Sequence, residues 1–201
     1  MKTSKEKIVD KATKEFMLCG YKGAVTEEIA KAAGLSNNSG LFRHFFDKED
    51  LYYAVLEKYF LHAQTPEEKF RPYRNLSLKN FIERYVDKVE ELSDFLHKLL
   101  GDSTEEKTNR YFSFLLECCF REKDCEETIL LHNKQEIALW QGVIENAKST
   151  REISPKTDSR SAAELFFYTF YGISVDLSIG KDASREQVRD MLYNLYDSYK
   201  A

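Results

Sequence analysis

Apolar residues recur at three- and four-residue steps along nearly the whole chain, and most glycines and prolines fall between those runs. This pattern predicts amphipathic helices laid end to end. Only 8 Gly and 3 Pro occur in 201 residues, about half of ordinary usage. So few breakers leave no room for the many tight turns of a sandwich, barrel or dinucleotide-binding fold. The fold expected is all-α, with about nine helices. Hydrophobic residues at 42% and charged residues at 32% describe a globular chain with a packed core.

The helices can be placed by their punctuation. Ile8, Val9, Ala12 and Phe16 give a first helix over 4–19, stopped by Gly20. Thr26 opens a short second helix with Glu27 and Glu28 in its first turn, and Gly34 ends it. Ser36 opens a third that ends near Phe45 or Phe46. Asp47 caps a fourth, over 48–64, with Leu51, Val55 and Tyr59 on one face. Beyond Pro72 longer helices are expected: one with an apolar stripe from Leu78 to Leu99, one after a capping pair Ser103–Glu106 that carries Tyr111 to Leu116, one at about 125–149, one at about 159–179, and one opened by a second pair Ser184–Gln187 that carries Val188 to Tyr199.

Several function classes are excluded by sequence. GxSxG, P-loop, HExxH and glycine-rich dinucleotide motifs do not occur, so no enzyme is expected. Cys19, Cys118, Cys119 and Cys125 match no zinc spacing and read as free thiols of a reducing cytoplasm, so neither metal nor cofactor is expected. No run approaches a membrane span, and the N-terminus carries no apolar signal core, which implies a cytoplasmic protein.

The most specific stretch is TEEIAKAAGLSNNSGLFRHF, residues 26–45. A short helix, a glycine turn and a second short helix read as helix-turn-helix, with Ile29, Ala30 and Ala33 facing inward and Leu35 plugging the corner. The second helix would lie in the DNA major groove. With GYKGAVTEEIAKAAGLS and LFRHFFDKEDL, residues 4–60 resemble the DNA-binding domain of the TetR family of bacterial transcription regulators. Chain length and helix count are similar to that family throughout. The spacing departs from the family at one point: Asn37, Asn38, Ser39 and Gly40 separate Ser36 from LFRHF, one residue more than usual. Either the turn is longer or the recognition helix begins later.

Candidate DNA contacts follow from side-chain chemistry. Asn pairs bidentately with adenine and Arg with guanine, which selects Asn37, Asn38, Ser39 and Arg43, with Ser36 at the helix start. His44, Lys48 and Thr26 are phosphate candidates, Thr26 as an N-cap. Phe42 stands where the family commonly has a phosphate-bonding tyrosine, and its ring can only pack. Residues 1–45 carry eight Lys/Arg and five Asp/Glu, a net +3 against −7 for the remainder. A basic head would lead an acidic body toward DNA.

The domain division expected is 1–47 for the helix-turn-helix domain and 48–201 for a helical ligand-binding and dimerisation domain, joined by helix 48–64. The resemblance implies a homodimer on a palindromic operator, released by a small-molecule effector. Phe166, Phe167, Phe170, Met191, Leu192, Leu195 and Tyr199 are the dimer candidates, since a helix apolar nearly all round needs cover on more than one side. Phe81, Tyr85, Phe112, Leu116, Cys119, Trp140 and Tyr171 are the candidates for lining an effector pocket, and suit an apolar or aromatic ligand. The competing reading is a helical dimeric adaptor with no DNA role.

Overall fold

The computed structural model describes residues 3–61, 65–100, 107–178 and 185–200, and among these every regular element is helical. The elements are α1 (Ser4–Gly23), α2 (Thr26–Ala32), α3 (Asn38–Leu41), α4 (Lys48–Leu56), α5 (Pro66–Phe70), α6 (Leu78–Leu100), α7 (Lys107–Arg121), α8 (Lys123–Ser149), α9 (Ser159–Ser178) and α10 (Arg185–Tyr199). A π-helical turn, Glu57–Leu61, continues α4, and a 3-10 turn, Arg71–Tyr73, follows α5. The Ser103–Glu106 pair and Ser184 lie outside the described residues.

Among the described residues there is one α-helix more than expected, α5. Pro66 and Pro72 read in sequence as breakers, but Pro66 occupies the first turn, where its missing N–H costs nothing. Thr65 caps the helix and Glu68 reaches back to the Thr65 N–H at 3.0 Å. The expected Asp47 cap of α4 is present, its carboxylate accepting the Asp50 N–H at 2.8 Å.

Two apolar clusters organise the molecule. The first joins α1, α2, α3 and α4 through Ile8, Phe16, Ile29, Leu41, Leu51 and Tyr52, and also takes in Phe114 and Cys118 of α7 and Cys125 of α8. The second gathers Phe70, Phe81, Tyr85, Trp140, Ile144, Phe166 and Leu192 from α5, α6, α8, α9 and α10. The head's core therefore does not close at residue 47. It runs through α4 into the ends of α7 and α8, so the body holds the head by shared packing.

Candidate nucleic-acid interface

The turn between α2 and α3 is fixed by backbone hydrogen bonds. Gly34 sits at φ 79°, the left-handed region that favours glycine. Its N–H donates to Lys31 O at 3.0 Å, and the Leu35 N–H donates to Ala30 O at 2.9 Å. This pair is a Schellman stop, and it satisfies the last carbonyls of α2. Leu35 then lies under α3, where a β-carbon on Gly40 would come 3.4 Å from the Leu35 Cβ. That is ordinary van der Waals contact, so the packing of Leu35 alone does not demand glycine inside α3.

The spacing question has a structural answer: the recognition helix begins late. Ser36 lies in the turn, and Asn37 is the N-cap, its Oδ1 accepting the Gly40 N–H at 3.3 Å. Regular helix covers Asn38–Leu41, and the Phe45 N–H still reaches Leu41 O at 3.3 Å through the turn that follows. Leu41 and Phe45 are buried, so their neighbours turn outward.

Four of the DNA candidates take up different positions from those expected. Thr26 is the first helical residue of α2, and Val25 holds the cap position, because the Val25 carbonyl accepts from Glu28 and Ile29. The Asn38 amide donates to Thr26 Oγ1 at 3.2 Å and to the Glu27 carboxylate, so it braces α3 on α2 instead of projecting. Asn37 is engaged in its own cap. The Lys48 ammonium donates to Ala24 O at 2.6 Å and stands 4.9 Å from the Tyr21 ring centroid, tying α4 to the end of α1. Ser36, Ser39, Phe42, Arg43 and His44 are exposed, and form the outward face of the motif. Phe46, 89% exposed beside them, was not singled out in sequence because LFRHFF reads as one apolar run.

The head is latched to the body at a kink in α1. Gly20 adopts φ 68° and ψ 172°, which ends the regular helix where the sequence placed its stop. The next N–H, of Tyr21, donates to Glu117 Oε1 of α7 at 2.9 Å. The Arg121 guanidinium lies 3.6 Å from the Tyr21 ring centroid and bonds Glu49 Oε1 of α4 at 3.0 Å. Tyr52 O–H donates to Cys118 Sγ at 3.3 Å, and Tyr53 O–H to Asp124 Oδ2 at 2.9 Å. Burial pushes the Cys118 thiol up, and the Cys125 thiol up to about 11, so both stay protonated and act as packing groups. Glu117 and Arg121 gave no sequence signal, since each reads as an ordinary solvated helix charge.

In the body, Phe81, Tyr85 and Trp140 come together with Phe166: Trp140 stacks on Phe166 at 4.8 Å, and Phe81 meets Trp140 edge-on at 4.8 Å. Phe112 and Tyr171 pack at the border of this cluster. Leu116 does not join it and is 44% exposed, because α7 turns Phe114 and Cys118 inward and Leu116 and Phe120 outward. Cys119 is half-buried beside the other face. One polar group was missed. Glu136 of α8 is half-buried beside this cluster and accepts a hydrogen bond from the Tyr85 hydroxyl, and desolvation raises its carboxyl above the ordinary range. Nearby, desolvation holds the Lys69 ammonium below its usual value, against the pull of Glu136.

The dimer candidates divide in the same way. Phe166, Phe167 and Leu192 are buried in the protomer's own core, because α9 packs on α8 and α10 packs on α6. They are interior residues and not a partner surface. Phe170, Leu195 and Tyr199 are half-buried, and Met191 is exposed. Leu165, Tyr168 and Val175 of α9, absent from the expected set, are exposed with it.

The described elements are a braced helix-turn-helix on an all-helical body, and comparisons with known proteins find the same arrangement. Residues 8–55 match the family described as bacterial regulatory proteins, tetR family. The chain is 26% identical over 200 residues to the biofilm operon icaADBC HTH-type negative transcriptional regulator IcaR of Staphylococcus epidermidis, covering 97% of this chain and 98% of that one. Among solved structures, a transcriptional regulator from Rhodococcus sp. Rha1 superposes with a TM-score of 0.60 at 15% identity, over 98% of this chain and 96% of that one. Salmonella enterica GusR does so with 0.55 at 18%, over 97% and 92%. These structural likenesses speak to the fold. The family match covers the head alone: residues 8–55 are similar to the N-terminal domain of tetR-family regulatory proteins. Among the described residues no helix is long and apolar enough to cross a membrane, and no group of His, Cys, Asp or Glu could hold a metal ion.

Proposed function

We propose that the protein is a dimeric repressor that binds an inverted-repeat operator through the exposed face of α3 and is released by a small-molecule effector. The observation that carries the reading is the outward set Ser39, Phe42, Arg43 and His44, held on α3 and the turn that follows it, whose inner side, Leu41 and Phe45, is locked into the head's core. Arg43 reads a base edge or its backbone, His44 grips phosphate, and Phe42 packs on sugar or a thymine methyl. Asn38, Asn37 and Lys48 act by positioning. The dimer forms on the exposed faces of α9 and α10, around Leu165, Tyr168, Val175 and Met191. The effector lies against Phe81, Tyr85 and Trp140, whose rings suit a flat apolar body, and Glu136 with Tyr85 adds one polar anchor. Negative regulation by the Staphylococcus epidermidis relative is consistent with repression.

Fluorescence anisotropy on duplexes from upstream of the protein's own gene tests the DNA reading. Binding that weakens steeply with salt supports it. In that assay Arg43→Ala should cost about 1–3 kcal/mol if the guanidinium reads a base. Absence of binding, or binding without a salt slope, contradicts the reading and favours an adaptor.

A further inference from the structure

A cavity of about 270 Å³ opens between the head and the body, lined by Asp10, Lys11 and Lys14 of α1, Tyr59 of the π-helical turn, and Phe95, Lys98 and Leu99 of α6. It lies apart from the aromatic cluster around Trp140 and from the exposed face of α3. Its acid is already engaged: Asp10 accepts from the Lys58 ammonium and, at 2.7 Å, from the Tyr59 hydroxyl. Lys11, Lys14 and Lys98 therefore leave the lining with a surplus of positive charge, which favours an anion over a cation there. One wall is aromatic, with the Tyr59 and Phe95 rings 6.0 Å apart and Phe95 41% exposed.

We propose that this cavity is a second ligand site, taking a small anion that carries an aromatic or other flat apolar body. The carboxylate, sulfonate or phosphate group meets the lysines, and the apolar part lies on Phe95 and Leu99. The ligand touches α1 and α6 together, so its occupancy bears on how the head sits on the body. The site does not depend on the effector reading above, because none of its residues belongs to that set.

The test uses two fluorescent probes and no DNA: anilinonaphthalene sulfonate, and uncharged N-phenylnaphthylamine as its counterpart without the anion. The full-length protein should bind the sulfonate saturably, with shifts at the Leu99 methyl resonances. Lys14→Gln with Lys98→Gln should weaken the sulfonate at least tenfold and change the uncharged probe less than twofold. Lys11→Gln with Lys98→Gln, both at exposed positions, should act in the same direction and guards against misfolding of the first variant. Phe95→Ala should weaken both probes. Sulfonate affinity unchanged by the lysine variants, equal losses of both probes in those lysine variants, both probes unaffected by Phe95→Ala, or methyl shifts confined to the body core around Ile144 would overturn the proposal.

Discussion

Replacing Gly20 with alanine tests whether the α1 kink holds the head on the body. Two costs follow from the geometry. At φ 68° and ψ 172° the backbone occupies a region that is almost exclusive to glycine, worth about 1–3 kcal/mol for any side chain. A β-carbon there would also lie 2.9 Å from Glu117 Oε2. That carboxylate is the flexible end of its side chain and can retreat, but only by releasing the Tyr21 N–H, a hydrogen bond to a charged group worth about 1.5–3 kcal/mol. Gly20→Ala should therefore destabilise by about 2.5–6 kcal/mol in total if both costs are met in full. Guanidinium unfolding at fixed protein concentration measures it, and a cycle with Glu117→Ala separates the parts. In the Glu117→Ala background, the glycine substitution should cost at least about 1 kcal/mol less, leaving the backbone share. A loss below about 0.5 kcal/mol, or the same loss in both backgrounds, would refute the latch.

Desolvation of the half-buried Glu136 carboxyl has a pH signature. Its folded-state carboxyl binds its proton more tightly than the unfolded one, so its contribution favours folding at low pH and is lost as pH rises from the ordinary carboxyl range through the raised folded value. Glu136→Gln should remove that downward slope and raise stability near neutrality relative to the parent, read from urea midpoints across pH; an unchanged slope contradicts the assignment. Charge placed on the exposed α9 and α10 face, Tyr168→Glu with Met191→Glu, should convert a dimer to a monomer in sedimentation without unfolding the core, because both side chains lie outside it. A dimer of unchanged strength would place the partner surface elsewhere.

The helical plan was legible because apolar period and breakers agree at most positions. Gly20 and Gly34 mark real stops, and both adopt positive φ. Asp47 caps where it was expected to, because a carboxylate before an apolar run has one favourable use there. The recognition helix was harder to place. Asn37 and Asn38 share a side chain, but one caps α3 and the other braces it on Glu27, and only three-dimensional packing tells them apart. Lys48 has the residue type of a phosphate contact, yet its ammonium already meets Ala24 O. Periodicity identified α9 as buried, but it could not say whether its own protomer or a partner covers each face. Phe166 and Tyr168, two positions apart, have opposite fates. Glu136 was invisible because a lone glutamate on a long helix ordinarily faces water.

The central claim is that the exposed face of α3 and the turn after it reads DNA as one of a symmetric pair. Selection of bound duplexes from a random-sequence pool by the purified full-length protein tests it most directly. The proposed dimer predicts enrichment of an inverted repeat whose half-sites lie about one helical turn, roughly 10 base pairs, or a multiple apart. With Arg43→Ala, preference should relax at matching positions of both half-sites while the repeat remains. A pool that stays random at low salt, or an enriched motif whose preferences Arg43→Ala leaves untouched, would contradict the account.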